Sequence, residues 1–332
     1  MSAIEEQLRR RVAELLNEKT VDLFIGYADA DLPLKTSVRV ARSAQDAEAL
    51  AWNACCTSNL AALLPGLLKR PAELRGEWTP PRVGLLAKGC VSRSIVGLIK
   101  AHQIPRDALY IVGVGCNGMI DRHRVSGLCG TADLAEAEVF DGSRLRIRST
   151  DGSEQEIDLA EVLLEGCLEC RHRNAVLADE TIGDPIPQDN DNARYANVEA
   201  FTERSIDERW RAFHEEISRC IRCYACREAC PNCYCTECFA QETAPQWIGV
   251  TTEMSDLMLF HLGRAFHQAG RCVDCGACVV ACPQGIDLRL LTQKINRDVE
   301  SLFGGDVSVS LDEPEPLLQF AMTDDEGFIT EP

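Results

Sequence analysis

Eighteen cysteines dominate the chemistry open to this chain, and eight of them fall in two runs of identical spacing. The first is Cys220-x-x-Cys223-x-x-Cys226-x-x-x-Cys230-Pro231, the second Cys272-x-x-Cys275-x-x-Cys278-x-x-x-Cys282-Pro283. Three thiolates on one tight loop reach three irons of a [4Fe–4S] cube. The fourth, just ahead of a proline, points toward a second cube, so in two-cluster proteins the fourth cysteine of each run crosses over. The spacing therefore assigns Cys220, Cys223, Cys226 and Cys282 to one cluster, and Cys272, Cys275, Cys278 and Cys230 to the other. Zinc knuckles favour pairs of C-x-x-C over three cysteines at this spacing. Two [4Fe–4S] clusters are the expected cofactors.

Ten cysteines remain. Cys167-x-x-Cys170 has the spacing of two thiolates on one metal atom. Cys90 and Cys116 each follow an apolar strand, at the carboxyl ends where open α/β sheets bind ligands. Cys90, Cys116, Cys167 and Cys170 are thus candidates for a third iron–sulfur centre, with the doublet Cys55-Cys56 as alternative members. Cys233, Cys235 and Cys238 are candidates for a further cluster, a shared ligand or plain packing. Cys129 has no motif around it and reads as a small buried hydrophobe. Gly113-x-Gly115-x-x-Gly118 matches the dinucleotide fingerprint in form, but no clear helix follows it and no acidic residue ends a next strand. His172, beside Cys170, reads as structural. No nucleophile–base or acid–base pairing is visible, so no residue is assigned a catalytic role.

The elements that must carry these residues follow from periodicity. A helix is expected over 2–18, with Ser2 and Glu5 as capping box and Ile4, Leu8, Val12 and Leu15 on one face. Strands are expected at Val21–Tyr27 and Ser37–Ala41, and helices near 44–51 and 58–69. Val83–Ala87, a helix over 92–103 and Ala108–Val114 make a strand–helix–strand unit of the length a parallel crossover needs. Segments at 137–141, 144–149 and 155–158 alternate as a small antiparallel meander. Helices follow at 206–219, 253–269 and from Leu288 to Leu302. The fold class is an α/β N-terminal domain, with a partly parallel sheet and a small meander, plus a mostly α-helical two-cluster ferredoxin domain. The boundaries read as 1–181 for the first, a linker at 182–205, 206–303 for the second, and an acidic flexible tail at 304–332.

At 332 residues, with 45% hydrophobic and 26% charged side chains, the chain is long enough for two such cores. Cysteines grouped at metal spacing point to a reducing, anaerobic cytoplasm rather than a secreted disulfide framework. No run of 18 apolar residues is present, so no membrane span is expected, and the polar, acidic N-terminus is unlike a signal peptide. A net charge of −18, from 52 acidic and 34 basic side chains, argues against nucleic acid as a partner. It permits a basic protein partner, although solubility alone accounts for it.

Lys88-Gly-Cys-Val-Ser-Arg-Ser94, the Gly-Cys-Asn-Gly-Met-Ile-Asp stretch within Ile111–Asp121, and Trp52-Asn53 before the doublet resemble the beta-subunit family of coenzyme F420 hydrogenase and formate dehydrogenase. Cys220-Ile-Arg-Cys-Tyr-Ala-Cys-Arg and Pro231-Asn-Cys-Tyr-Cys are similar to dicluster relatives of that family. Ala265–Cys278 resembles the second cluster run of helical ferredoxin subunits, heterodisulfide reductases included. The resemblance covers most of residues 20–300. It implies a cytoplasmic iron–sulfur electron-transfer subunit of a larger oxidoreductase of the formate dehydrogenase, hydrogenase or heterodisulfide-reductase type. Its partners would be catalytic and flavin-containing subunits, with soluble ferredoxin as a further candidate. Deazaflavin-reducing family members hold a flavin in the N-terminal-type domain. The alternative reading is therefore an FAD-bearing module that exchanges hydride with a deazaflavin or nicotinamide at the 83–130 crevice, although no clear motif in the chain marks a flavin site.

Overall fold

A computed structural model describes residues 2–71, 75–129, 134–140, 143–188, 194–318 and 322, without the side chains of 129 and 134–140. The reading made for the Cys129 side chain and the last residue of the segment expected at 137–141 lie outside these. The N-terminal half is built on a five-stranded sheet in the order β2-β1-β3-β4-β8. Its strands are β1 (Leu23–Asp29), β2 (Thr36–Ala41), β3 (Val83–Ala87), β4 (Leu109–Val114) and β8 (Glu180–Ile182). β2 is antiparallel to β1, and the remaining pairings are parallel. β3 is buried along its whole length, as a central parallel strand covered on both faces must be, which is why it reads as an unbroken apolar run. Leu8, Val12 and Leu15 of the helix Ala3–Asn17 join Phe24, Leu85, Ile111 and Ile95 in one core.

The helix Gly89–Lys100 begins directly after β3, with Lys88 as its N-cap. It starts earlier than the periodicity indicates, and this puts Cys90 in its first turn. A separate antiparallel sheet, β5 (Leu134–Phe140), β6 (Arg144–Ser149) and β7 (Glu154–Asp158), forms the meander. β6 alternates exposed and buried residues, and Leu145 and Ile147 pack with Ile120, Val125 and Val162 in a second core.

The C-terminal half is mostly helical. Ile206–Ser218, Met254–His267 and Arg289–Phe303 are its long helices, the first opened by a Ser205–Glu208 capping box. Ala225–Glu228 and Ala277–Val280 are single turns inside the two cysteine runs.

Several expectations shift. The helix read over 44–51 is only Ala44–Ala47, and that read over 58–69 splits into a 3₁₀ turn, Leu60–Leu63, and the helix Leu64–Leu68. The stretch 182–205, read as a linker, carries the helix Ala196–Thr202 and buries Tyr195 and Val198. Within the acidic tail, parts of 304–318 are packed against the protein, whereas Met322 is exposed. Val307, Ser308 and Glu315 are buried, and Arg93 Nε donates to the Val307 carbonyl at 2.9 Å.

Candidate metal centre

Both cysteine runs fold into the same loop. In the first, Arg222 and Tyr224 have φ of 55° and 60°; in the second, Asp274 and Gly276 have 56° and 71°. Only Gly276 takes the left-handed region without steric cost. The other three each carry roughly 1 kcal/mol of strain, so the loop is held by its surroundings. Arg222 lies over both the Tyr224 and Phe260 rings, at 5.4 and 5.1 Å. Arg289 pairs with Asp274 at 3.0 Å. Successive residues in such alternating conformations turn backbone N–H groups toward one concave side, which suits an anionic occupant. Arg222 N–H reaches Cys220 Sγ at 3.4 Å, and Ile286 N–H reaches Cys282 Sγ at 3.4 Å.

All eight run cysteines line one cavity of about 70 Å³. Burial raises the Cys226 thiol, Arg264 opposes the rise, and Cys220, Cys282 and Cys223 add to it. Burial also pushes Cys278 up to about 12, Arg264 again opposing, with Cys230 and Cys275 as the neighbouring thiols. Cys282 thus acts electrostatically on Cys226 of the first run and Cys230 on Cys278 of the second. Crowded, desolvated thiols of this kind become thiolates only beside compensating cations. The donor set, the inward N–H groups and the Arg264 Nε atom, shut from solvent without a hydrogen-bond partner, fit iron–sulfur clusters. When bound, such a cluster stores and passes on one electron at a time; the chain's own residues hold it and shield it from water.

Cys233, Cys235 and Cys238 line a neighbouring cavity with Arg227, Arg264 and His267. Gln268 contacts both Cys230 and Cys233 sulfurs at 3.7 Å, and Cys235 is exposed. Among the described residues no three His, Cys, Asp or Glu side chains are grouped to hold a single metal ion.

A second cavity, of about 50 Å³, is lined by Cys90, Cys116, Cys167 and Cys170 together with Cys275 of the second run. Three separate devices gather these thiols. Cys90 sits in the first helical turn after β3, and Cys116 lies two residues beyond β4, its N–H bonded to the Arg173 carbonyl at 2.9 Å. The 170–174 loop closes on Gly89, where an added Cβ would stand 1.7 Å from the His172 carbonyl oxygen. The helix Glu165–Leu168 meets the second run so closely that a Cβ on Gly166 would lie 2.6 Å from the Asp274 oxygen. Burial pushes Cys90 well up, Lys88 opposing, while Cys275, Cys116 and Cys170 add to the rise. Burial pushes Cys167 up to about 12, Cys116 contributing.

Cys55 and Cys56 do not line this cavity. Cys56 is fully buried with Asn53 N–H on its sulfur at 3.4 Å, and Cys55 packs against the meander core. His172 Nε2 meets Asp306 Oδ2 at 2.6 Å. The glycine pattern at 113–118 serves protein packing: added Cβ atoms would meet Ala175 at Gly113, Ile186 at Gly115 and Leu163 at Gly118. The next helix opens only at Arg122.

Sequence reasoning missed three polar residues beside these thiols. Lys88 is fully buried and donates from Nζ to the Cys56 carbonyl, 5.5 Å above the Tyr27 ring. Asn59 donates to Ser94 Oγ at 2.9 Å and bonds the Cys275 thiol, lowering it against the larger effect of burial. Arg264 donates to the Cys226 carbonyl at 3.0 Å. Lys88 stands two residues before Cys90 and was legible by position; Asn59 and Arg264 carry no local signal.

Residues 216–286 match the family described as "4Fe-4S dicluster domain". The chain is similar to the F420-dependent formate dehydrogenase subunit beta of Methanocaldococcus jannaschii, at 21% identity over 281 positions, covering 67% of this chain and 73% of that protein. It is also similar to the F420-dependent formate dehydrogenase 1 subunit beta of Methanococcus maripaludis, at 23% identity, covering 47% of this chain and just over half, 56%, of that one. Among solved structures, a chain of the F420-reducing [NiFe] hydrogenase complex from Methanosarcina barkeri aligns with TM-score 0.37 and 17% identity, over 55% of this chain and 64% of its own. No helix among the described residues is long and apolar enough to cross a membrane. The chain is thus similar to the beta subunits of F420-dependent formate dehydrogenases, and its residues 216–286 match a 4Fe-4S dicluster domain.

Proposed function

We propose that the chain is an iron–sulfur electron-transfer subunit of a cytoplasmic, anaerobic oxidoreductase complex, with catalytic and flavin-containing subunits as partners. The observation that carries this is the single cavity lined by all eight run cysteines, with the fourth of each run set against the other. The ligand sets are Cys220, Cys223, Cys226 and Cys282, and Cys272, Cys275, Cys278 and Cys230. Cys90, Cys116, Cys167 and Cys170 hold a third centre. Cys275 lines both cavities, so the three centres form a row with the second-run cluster in the middle. Cys223 is exposed, and the first-run end of the row is where electrons enter or leave.

The alternative, a flavin in the crevice beyond β3 and β4, is disfavoured because four thiols occupy that crevice. Anaerobic purification with iron, sulfide and flavin analysis tests both. Three centres give about twelve iron per chain and two give about eight. About eight, unchanged in Cys116→Ser, removes the third centre; about four removes the two-cluster reading. Stoichiometric flavin with reduction of a dye by nicotinamide or deazaflavin establishes the alternative.

A further inference from the structure

Two buried cations stand where thiol groups meet. Arg264 lines the eight-cysteine cavity and lies among Cys226 of one ligand set and Cys278 and Cys230 of the other. Its Nε is shut from solvent and has no hydrogen-bond partner. Lys88 lines the second cavity beside Cys90, Cys116 and Cys275, again between two ligand sets. Its ammonium bonds a backbone carbonyl and faces an aromatic ring. Among the described residues neither cation forms an ion pair with a carboxylate. A buried cation without an anion is costly, and at both places the candidate anions are thiolates and the cluster they hold.

We infer that Lys88 and Arg264 are positioning cations, one at each junction of the three-centre row, that set the reduction potentials of the two centres each one faces. This rests on the cluster reading above. Reduction adds one negative charge to a cluster, and a fixed cation beside it stabilises the reduced form, so its potential rises. A cation shared by two adjacent centres raises both and leaves the distant one alone. The same charge attracts both neighbours when both are reduced and so offsets their mutual repulsion, which keeps the middle of the row usable for transfer.

The test is an anaerobic redox titration of the full chain followed by electron paramagnetic resonance, with iron content measured alongside. Lys88→Gln is expected to lower the third centre and the second-run cluster by about tenfold in reduction equilibrium, or ~59 mV for a one-electron couple, leaving the first-run cluster in place. Arg264→Gln is expected to lower both run clusters and spare the third centre. Lys88→Arg and Arg264→Lys keep the charge and most of each potential. If a glutamine variant loses iron, the histidine variant reads the same charge within one folded protein. Its two adjacent centres then follow pH through the histidine range, and the remaining one, the first-run cluster for position 88 or the third centre for position 264, does not. Full iron with unmoved potentials, equal shifts at all three centres, or charge-keeping variants that behave as glutamine would overturn the inference. About eight iron or fewer in the unaltered chain overturns the three-centre reading itself.

Discussion

The two thiol-lined cavities are assembled in opposite ways. In the C-terminal half each proposed ligand set takes three cysteines from one seven-residue stretch and a fourth from the other run. The loop is locally strained, at Arg222, Tyr224 and Asp274, and its shape is set within a few residues. In the N-terminal half the four thiols come from positions 90, 116, 167 and 170. They meet because a parallel sheet sets two strand ends side by side and because glycines let loops close on them. One site is written into a motif; the other is written into a fold. Damage to the first should act through its ligands, and damage to the second through its scaffold.

The largest effects are expected from single ligand removals in the runs. Cys226→Ala and Cys278→Ala should each lose one cluster, about four iron, and destabilise the chain, because cluster ligation is linked to folding. Cys282→Ala discriminates the crossed arrangement. It should lose the paramagnetic signal that Cys226→Ala loses and retain the one lost in Cys278→Ala. If it copies Cys278→Ala instead, each run holds its own cube and the crossing is wrong.

A scaffold change with no ligand touched comes next. In Gly89→Ala the new Cβ stands 1.7 Å from the His172 carbonyl oxygen and 3.0 Å from that of Asn174. Both are backbone atoms, so the 170–174 loop must move, carrying Cys170 away from Cys90. The expected cost is about 2–4 kcal/mol, with iron falling from about twelve toward eight and both run signals kept. Gly66→Ala, where an added Cβ meets nothing within 4 Å, is the control and should leave iron unchanged. Gly89→Ala with all its iron would show that the second cavity tolerates displacement and does not depend on this loop.

This contrast also explains what was legible. Spacing alone delivered the runs, since a local motif needs no knowledge of the fold. Cys90 and Cys116 were found because β3 and β4 are apolar runs whose ends are visible. Cys55 and Cys56 could not be separated from them, as sequence does not say which way a loop turns. Asn59 and Arg264 escaped notice because their partners lie far along the chain. The reading of 182–205 as a linker came from its Asp-Asn composition, yet Tyr195 is anchored there by its hydroxyl on Glu300 at 2.9 Å. The same limit governs the tail. Its eight acids from 303 to 332 read as either a solvated end or a docking strand, and composition could not choose, whereas Asp306 and Glu315 meet cations contributed by the N-terminal half.

That last contact gives the smallest expected effect, and it tests whether the two halves are tied together beside the second cavity. Asp306 faces Arg93 at 3.0 Å, Arg194 at 2.8 Å and His172 at 2.6 Å, three residues that also line that cavity. Burial works against its charge, but the His172 hydrogen bond and the two guanidinium groups outweigh it and hold its carboxyl well below the usual range. A depressed folded value contributes stability that is fully present above the unfolded carboxylate pKa of ~3.9 and is lost only as pH falls below that. Asp306→Asn should therefore cost about 1–3 kcal/mol at pH 7, the range between an exposed and a buried pair. The difference from the unaltered chain should be undiminished from pH 8 down to pH 5, since a carboxyl held below the usual range stays charged throughout it. Denaturant unfolding of the iron-loaded protein at several pH values measures it. A difference that shrinks between pH 7 and pH 5 would mean that burial wins at Asp306, and that the clasp between the halves is neutral where the structure makes it ionic.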